Sequence, residues 1–440
     1  MKKFIITLVL YFLAAFLAVF AAEGVFFYKG IYHPPALLRV KAEDVAVPSP
    51  YVSVFNEPPE KHAGTVVVDL SHHNNFNPWE VDTLVSRIAS TGFSVKLLKD
   101  SADFETSLRS ADAYILISPQ TSLSSDEIAL LKELVARKMK LMLMEEQGRS
   151  AASFSGAILA PIPAGEVSAA FGFLFERDYL YNLKENDGNY RNVFLTDFKP
   201  NEITKGLKKI VFYSAGSLTG SDSGIVFTDD NTFSSKFETR GKLSPIVLTA
   251  GSRVLGIYDV TFLTEPYNAS YDNNRLLANI ADWLTTSERT FSLADFPYFI
   301  KKTPSVVYTA EALIPQALTV KNLLNDEFGI NPLVGKYEDA SQAGDMVILS
   351  LFGDAGKLKS ILDTGNIRVT SNTTEVSGVG TIAQSAASVI YYKEGDNNRL
   401  VILASNSKQL QDTIQLLKTG EFRQWLVRDS LAIYQPSESK

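Results

Sequence analysis

The chain has 440 residues and a mass of 48.4 kDa, which is too long for one ordinary core and predicts two or three domains. Its formal net charge of −7 leaves no basic surplus to neutralise phosphates, so nucleic acid is not expected as a partner. The absence of cysteine excludes disulfides, thiolate nucleophiles and zinc–thiolate sites.

The first predicted element is an apolar helix. Lys2 and Lys3 precede 19 uncharged residues, "FIITLVLYFLAAFLAVFAA", a length that spans a bilayer core. The lysine pair marks the end that stays inside, so residues 1–28 are predicted to be a single-pass transmembrane anchor in membrane lipid, with the N-terminus cytoplasmic and the bulk of the chain extracytoplasmic. A secretory signal peptide is the alternative, although its apolar region is usually only about 7 to 15 residues long.

A proline-rich segment, residues 29–63, predicts an extended stalk, part of which could instead pack on the next domain. Apolar strands and helices then alternate, which is typical of a parallel sheet covered on both faces. This first domain is predicted to run from 64 to 290. Its strands are predicted at 65–70, 91–98, 113–118, 139–145, 208–218, 224–229, 244–251 and 252–259. Its helices are predicted at 78–90, 104–111, 124–138 and 271–286, the last with Asp272 or Asn273 as its cap.

A connector, residues 291–304, leads to a second, smaller α/β domain at 305–440. Its strands are predicted at 305–310, 344–351, 366–371, 387–395, 398–405 and 430–435, and its helices at 317–328, from Lys357, and at 409–417. Asp396-Asn397-Asn398 joins two of these strands in the manner of a hairpin loop.

The first domain resembles a known family in the order of its segments "VVVDLSHHNNF", "YILISPQTSLSSDEIALLKELVARKMKLMLMEE", "NEITKGLKKIVFYSAGSL" and "NRLLANIADWL". It is similar to the uncharacterised class I glutamine amidotransferase-like domain of membrane-anchored bacterial and archaeal proteins, akin to that of gliding-motility ABC-transporter auxiliary subunits and of an intraflagellar-transport protein. The resemblance implies a flavodoxin-like sheet over about residues 64–290. The enzymes of this ancestry need a cysteine nucleophile with a histidine partner. This chain has no cysteine, and the resemblance implies a non-catalytic binding or scaffold module.

Ligands of open parallel sheets bind outside the carboxyl ends of the strands. The loops expected there contain five candidate ligand-binding residues: Asp69, His72, His73, Gln120 and Glu145. If Asp69, one histidine and Glu145 converge, they form a carboxylate–imidazole site suited to a divalent metal or to a general base. Against this, adjacent histidines in an extended chain point in opposite directions, and Asp69 could simply cap its turn. No second metal-binding cluster is present, so no catalytic residue, metal or cofactor is expected.

Three weaker signals remain. "SFSGA" (153–157) lacks the first glycine of a serine-hydrolase elbow. Asn268-Ala-Ser and Asn372-Thr-Thr are glycosylation sequons. Residues 171–183, "FGFLFERDYLYNL", carry aromatic side chains that either form a buried face or offer a carbohydrate- or protein-binding surface. These aromatic residues are Phe171, Phe173, Phe175, Tyr179 and Tyr181.

These observations predict a membrane-anchored, extracytoplasmic, non-catalytic binding or scaffold protein, with a protein partner in an envelope or ABC-transporter assembly. The first alternative is a metal-dependent or serine-type hydrolase of envelope glycans or peptides, centred on Asp69, His72, His73 and Glu145. The second is a surface-layer-associated structural protein, because "GTIAQSAASVIYYKEGDNNRLVILASNSKQLQDTIQLL" is faintly similar to archaeal surface-layer domains.

Overall fold

The computed structural model describes residues 2–26, 57–149, 162–220, 223–236, 241–286 and 288–435. It divides into two compact units, Met1–Ser49 and Pro50–Lys440. The first unit holds helix α1, Lys2–Phe26, none of whose residues is buried. Among the described residues, α1 is the one helix long and apolar enough to cross a membrane, a test that an N-terminal signal sequence also passes.

The predicted stalk lies outside the described residues except for its end. Residues 57–63 belong to the second unit and bond to helix α2, Asp82–Thr91: the Arg87 guanidinium donates to the Glu57 carbonyl at 2.7 Å, and the His62 N–H donates to the Thr91 carbonyl at 2.8 Å. The end of the proline-rich segment therefore follows the alternative in which it lies on the first domain.

An eight-stranded, mostly parallel sheet organises the first domain within the described residues. The strands of this domain are β1 Thr65–Asp69, β2 Ser94–Leu98, β3 Ala113–Ile117, β4 Lys140–Met144, β5 Leu174–Phe175, β6 Leu180–Asn182, β7 Asn192–Leu195, β8 Asp197–Phe198, β9 Ile210–Tyr213, β10 Leu218–Thr219, β11 Gly224–Phe227, β12 Thr232–Ser234, β13 Ile246–Thr249 and β14 Val254–Ile257. The sheet order is β2-β1-β3-β4-β14-β13-β11-β8. The first five strands of this order are parallel, as expected for a flavodoxin-like sheet, whereas β13, β11 and β8 run antiparallel to their neighbours.

Helices cover both faces of this sheet. They are α2 Asp82–Thr91, α3 Phe104–Ser110, α4 Ser125–Ala136, α5 Gly165–Ala170 and α6 Asn273–Thr285. Helices α2 and α6 contribute Leu84, Ile88 and Leu276 to the core on one face, whereas α3 and α4 contribute Leu108 and Leu131 to the core on the other. Burial of these apolar stripes on both sides supplies the main driving force for this layered arrangement.

Two details of the helix ends differ from the predictions. The helix expected at 78–90 begins as a 3₁₀ turn, Pro78–Val81, and becomes α-helical only at Asp82. Asp272 does occupy the N-cap position of α6, but its carboxylate does not cap that helix. It accepts the N–H groups of Lys208 and Lys209 instead, at 2.7 and 2.9 Å, and so ties α6 to the segment before β9.

The second domain is built on a seven-stranded sheet with the order β16-β15-β17-β22-β21-β24-β23. Its strands are β15 Ser305–Tyr308, β16 Leu333–Lys336, β17 Met346–Leu351, β18 Ile367–Val369, β19 Thr373–Val376, β20 Gly380–Ala383, β21 Ser388–Lys393, β22 Arg399–Ala404, β23 Leu426–Arg428 and β24 Leu431–Tyr434. Strands β18, β19 and β20 form a separate antiparallel sheet in that order. The loop containing Asp396-Asn397-Asn398 joins the antiparallel pair β21–β22, as predicted.

The α-helices of this domain are α7 Ile314–Phe328, α8 Lys359–Leu362 and α9 Ser407–Thr419. The helix expected from Lys357 is a 3₁₀ helix, Phe352–Leu358, that passes into one turn of α-helix. The segment named a connector at 291–304 contributes Leu293, Phe296 and Phe299 to the core beside α7 and α9. The two sheets thus belong to one compact unit rather than to separately tethered bodies.

Candidate functional site

The order of the first sheet places a crevice between β1 and β3. The chain leaves β1 for β2 on one side and then crosses to β3 on the other, which makes the carboxyl ends of β1 and β3 a topological switch point. Ligands of open α/β sheets bind at such points. Asp69 ends β1 and Ser118 directly follows β3, so both lie at this crevice.

Asp69 and His72 are brought together by the tight turn after β1. The Asp69 carboxylate accepts the Ser71 N–H at 3.2 Å and the Ser71 hydroxyl at 2.7 Å, and its second oxygen lies 2.8 Å from Nδ1 of His72. Asp69 is fully buried and His72 is only 4% exposed. Asp69 therefore fills the turn-capping role and also orients the imidazole.

A second carboxylate faces the other ring nitrogen of His72, and it is Glu127 rather than the expected Glu145. Nε2 of His72 lies 3.5 Å from Oε1 of Glu127. The other oxygen of Glu127 accepts the N–H of Ser124 at 2.7 Å in a capping box at the start of α4. The pattern Ser124-x-x-Glu127 predicts this cap, but nothing in the sequence connects it with His72.

The charge state of His72 follows from these two carboxylates. Burial acts to lower the pKa of His72, but the hydrogen bond and the negative charge of Asp69, followed by those of Glu127, outweigh it and raise the pKa. Burial together with the charges of Asp69 and Glu127 also raises the pKa of the neighbouring Tyr114 well above its ordinary value, so this phenol stays neutral. Both nitrogens of His72 therefore face a carboxylate oxygen, which orients the ring and favours its protonated form.

His73 and Gln120 do not join this cluster. His73 has a positive φ of 54° and an exposed side chain, which agrees with the expectation that adjacent histidines diverge. The Gln120 amide donates to the carbonyls of Ser118 and Arg149, both at 3.0 Å. Its role is to link loops rather than to face the crevice as a ligand.

Hydrogen bonds connect the loops that follow β1 and β3 across the crevice. The N–H groups of Gln120 and Thr121 donate to the His72 carbonyl at 3.0 and 3.2 Å. In return, the Asn75 N–H donates to the Ser118 carbonyl at 2.9 Å, and the Asn74 amide donates to the Ile117 carbonyl at 2.9 Å. These four bonds join the loop after β1 directly to the end of β3 and the loop that follows it.

Glu145 lies at the end of β4, apart from the Asp69–His72–Glu127 cluster. It is 1% exposed, and neither carboxyl oxygen has a hydrogen-bond partner in the described part of the chain. Burial raises the pKa of Glu145 to about 8, while the nearby Ser118 hydroxyl and two backbone groups only partly oppose this without good hydrogen-bond geometry. At neutral pH the side chain is therefore mainly an uncharged acid.

The next residue, Glu146, forms a different cluster that the sequence does not reveal. Its carboxylate accepts the Val260 N–H, the Thr261 N–H and the Thr261 hydroxyl at 2.8–3.1 Å. Nε of Arg149 lies 3.4 Å from the Glu146 carboxylate. The other two guanidinium nitrogens of Arg149 form a bidentate ion pair with Glu80. Because Glu146 follows β4 and both Val260 and Thr261 follow β14, these bonds tie the two loops together.

No group of three or more His, Asp or Glu side chains in the described ranges could hold a metal ion. The "SFSGA" segment lies outside those ranges.

The aromatic side chains of residues 171–183 differ in burial. Phe173 and Phe175 are buried, as the core interpretation expects, whereas Phe171, Tyr179 and Tyr181 are half-buried.

Comparison with solved structures shows that about half of this chain is similar in fold to known proteins. No protein-family model matches the chain, and no curated protein sequence matches it. The mmIFT52 N-terminal domain is similar at 14% identity with a TM-score of 0.42, over 51% of this chain and 100% of that one. A putative ThuA-like protein from Bacteroides uniformis ATCC 8492 is similar at 10% identity with a TM-score of 0.32, over 54% and 97%. Another from Parabacteroides merdae ATCC 43184 is similar at 12% identity with a TM-score of 0.31, over 54% and 94%.

Proposed function

We propose that this chain is a membrane-anchored, extracytoplasmic binding protein without catalytic activity, a component of an envelope or ABC-transporter assembly. The observation that carries the proposal is the bonding at the carboxyl ends of β1 and β3, where His72 is held between two carboxylates and the surrounding loops bond to one another. Polar groups that already bond to one another, as those of Asp69, Ser71 and His72 do, offer little to a reacting molecule.

The N-terminal helix supports the membrane part of the proposal. Helix α1 has 25 residues, and after the Lys2–Lys3 pair its only charged residue is Glu23 near its end; none of its side chains is buried. A retained helix of this length would anchor the chain. The compact unit that follows would then present its two sheets to a partner beside the membrane.

Single cysteines test the orientation directly, because the natural chain contains none. Lys408→Cys places a thiol at an exposed position of the second domain, and Lys3→Cys places one before the apolar stretch. We expect a membrane-impermeant maleimide to label Lys408→Cys in intact cells and Lys3→Cys only after lysis. Labelling of Lys408→Cys only after lysis would overturn the extracytoplasmic assignment.

Photo-crosslinking tests the partner. A photoreactive amino acid is placed at exposed positions of the second unit in the full chain, in its own membrane, and adducts are identified by mass spectrometry. We expect one membrane or envelope protein to recur at neighbouring positions on one face. Adducts scattered evenly over all faces would contradict a specific assembly.

One observation favours the hydrolase as the second candidate. The hydroxyl of Ser118 and the carboxyl of Glu145 lie near each other, buried and without hydrogen-bond partners in the described ranges, and Ser118 has a positive φ of 40°. Both side chains are inaccessible to a substrate in this structure, at 0% and 1% exposure.

The metal-dependent form of the hydrolase has a separate test. For a metal-dependent enzyme, added Zn²⁺, Mn²⁺ or Ca²⁺ would raise the melting temperature by several degrees and EDTA would lower it, with the effect lost in Asp69→Ala and His72→Ala. We expect no such shift.

A further inference from the structure

One face of the short ribbon formed by β6 and β12 is aromatic. Tyr181 and Phe233 lie directly opposite each other in this antiparallel pair, so their side chains leave the ribbon on the same face. The side chains of the other face are buried, and they are Leu180, Asn182, Thr232 and Ser234. Alternation along the two strands therefore turns Tyr181 and Phe233 away from the core.

Two further tyrosines extend this face. Tyr179 lies two residues before Tyr181, and the centroids of the two rings are 6.0 Å apart. The Tyr190 carbonyl accepts the Asn182 N–H at 2.8 Å, and the Tyr190 ring lies 6.4 Å from that of Tyr181. The rings of Tyr181 and Phe233 are 5.6 Å apart. These four rings, Tyr179, Tyr181, Tyr190 and Phe233, form the aromatic face.

The aromatic face is open to a partner. Tyr190 is 46% exposed, and the other three side chains are half-buried. Leu183, which directly follows β6, is 72% exposed. None of the four rings belongs to the hydrophobic cores that the described residues of this domain form. Aromatic side chains that gather outside a core in this way mark a contact surface.

Aromatic rings in this region already bind cations of the chain itself. The Arg191 guanidinium lies over the Tyr179 ring, 4.3 Å from its centroid. On the neighbouring pair β7–β9, Nζ of Lys209 lies 3.4 Å from the centroid of the Phe194 ring. The negative faces of aromatic rings attract guanidinium and ammonium groups. Within the described part of the chain, the rings of Tyr181 and Tyr190 have no cation of their own.

The charges at one end of the ribbon also favour a cationic partner. Glu185 follows β6 and Asp230 precedes β12, so both lie at the same end of this antiparallel pair, and both are exposed. Neither carboxylate has a hydrogen bond or ion pair with the described residues. Lys184, which lies between β6 and Glu185, donates to the Asn231 amide oxygen at 3.0 Å instead. An anion would be repelled here, whereas an arginine or lysine side chain would find ring faces and carboxylates together.

We infer that the aromatic face binds a basic segment of the partner protein, whose arginine or lysine side chains lie on Tyr181 and Tyr190 and pair with Glu185 and Asp230. The inference rests on the proposed binding function and adds the surface and the class of partner. Arginine and lysine suit such a surface, because their apolar stems cover the rings while their charged ends reach the carboxylates. Tyrosine and arginine are also the side chains that contribute most to many protein interfaces.

Two synthetic peptides probe the surface. One is a fluorescein-labelled dodecapeptide of alternating alanine and arginine. In the other, every arginine is replaced by citrulline, which keeps the shape of the side chain and loses its charge. Fluorescence anisotropy measures the binding of both peptides to the purified full chain in a neutral detergent at physiological ionic strength. We expect the arginine peptide to bind at least about tenfold more tightly than the citrulline peptide.

Substitutions of uncharged residues separate contacts with the rings from the general attraction of an acidic chain. Tyr181→Ser and Tyr190→Ser should each weaken binding of the arginine peptide at least about threefold. Tyr267→Ser is the matched control and should leave the affinity unchanged, because Tyr267 is 40% exposed in the 3₁₀ turn Tyr267–Ala269 rather than on the ribbon. Circular dichroism and chemical unfolding establish that each variant is folded.

Arg191→Ala should have the opposite effect. It uncovers the Tyr179 ring and removes a competing cation, so the arginine peptide should bind at least about twofold more tightly. A residue that served only to hold the ribbon in shape would weaken binding when removed.

Equal affinities of the arginine peptide for wild type, Tyr181→Ser and Tyr190→Ser would overturn the inference. Equal affinities of the arginine and citrulline peptides, or no binding of either, would overturn it as well. After each of these results, the crosslinking experiment still tests the proposed function independently, at exposed positions outside the aromatic face.

Discussion

The carboxylate of Asp295 lies 3.2 Å from the guanidinium of Arg109, although the two residues belong to different sheet domains and are 186 positions apart. A second guanidinium, that of Arg289, lies 3.4 Å from the same carboxylate oxygen. Asp295 and the Arg289 side chain are fully buried, and Arg289 also donates to the carbonyls of Leu108 and Ala111 at the end of α3. This buried network fastens the segment at 291–304 to the first domain.

Replacing Asp295 is expected to be costly. Asp295→Asn would leave the buried Arg289 without its counter-charge, whereas Arg109 would keep Glu105 and Glu133, and removal of one partner from a buried ion pair costs about 3–5 kcal/mol. The matched control is Asp429→Asn, because Asp429 pairs with Arg137 at 2.7 Å but has a side chain 79% exposed, and such surface pairs contribute less than about 1 kcal/mol. Chemical unfolding measures both free energies. Equal, small losses would show that the buried network does not join the domains.

The cluster around His72 predicts a pH-dependent contribution to stability. The pKa of His72 is raised above its ordinary 6.5 by Asp69 and Glu127, so the folded state binds a proton that the unfolded state has released. The stabilisation is therefore complete below about pH 6.5 and is lost as the pH rises through the folded-state pKa.

His72→Gln should lower the free energy of unfolding by about 1–3 kcal/mol at pH 6, with a smaller difference from wild type at pH 9. Denaturant titrations across this pH range measure the difference. His73→Asn is the control, since asparagine tolerates the positive φ of this exposed position. A His72→Gln effect that stays constant with pH would mean that protonation of the imidazole does not contribute.

The sequence predicts the longer strands and helices of the first domain because their signals are local, whereas the short strands β5 to β8 and β12 and helix α5 were not predicted. Apolar runs marked β1, β3 and β4, and the pattern Ser124-x-x-Glu127 marked the start of α4. Strands β11 and β13 were predicted, but their antiparallel direction was not, because pairing direction depends on long-range contacts that leave no local pattern. The burial of Leu293, Phe296 and Phe299 was missed for a similar reason, as these residues have neither helical nor strand periodicity.

The candidate site was predicted only in part. Asp69 and His72 are three residues apart, so one tight turn suffices to join them. Glu127 comes from a helix more than fifty residues later, and its approach to His72 depends on how α4 packs against β3. Whether a carboxylate at a strand end has a partner, as Glu146 does, or lacks one, as Glu145 does, is likewise decided by the folded neighbours rather than by residue type.

The two glycosylation sequons should differ in reactivity. Asn268 is 3% exposed, and its amide donates to the Thr83 hydroxyl and the Leu263 carbonyl. Asn372 is exposed in the turn between β18 and β19. Treating the folded chain with an oligosaccharyltransferase and a lipid-linked donor should therefore modify Asn372 alone, as peptide mass mapping would show. Asn372→Gln should abolish the modification, and a glycan found on Asn268 of the folded chain would contradict its buried position.

The neighbouring pair Glu145 and Glu146 should respond to amide substitution in opposite directions. The pKa of Glu145 is about 8 in the folded state against an ordinary 4.5, so between these values the folded chain holds a proton that the unfolded chain has lost, and stability falls as the pH rises. Glu145→Gln removes this penalty and should stabilise the protein by up to about 3 kcal/mol at pH 7, with no gain near pH 4.5.

Glu146→Gln should instead destabilise the protein by about 1.5–3 kcal/mol, because it weakens charge-assisted hydrogen bonds from Val260 and Thr261. Thermal and denaturant unfolding of both variants at several pH values measure the two effects. The comparison is controlled internally, since the substitutions are chemically identical and one residue apart. If Glu145→Gln were destabilising at pH 7, the buried carboxyl would have to be ionised and held by a partner, and its role as an uncharged acid would be wrong.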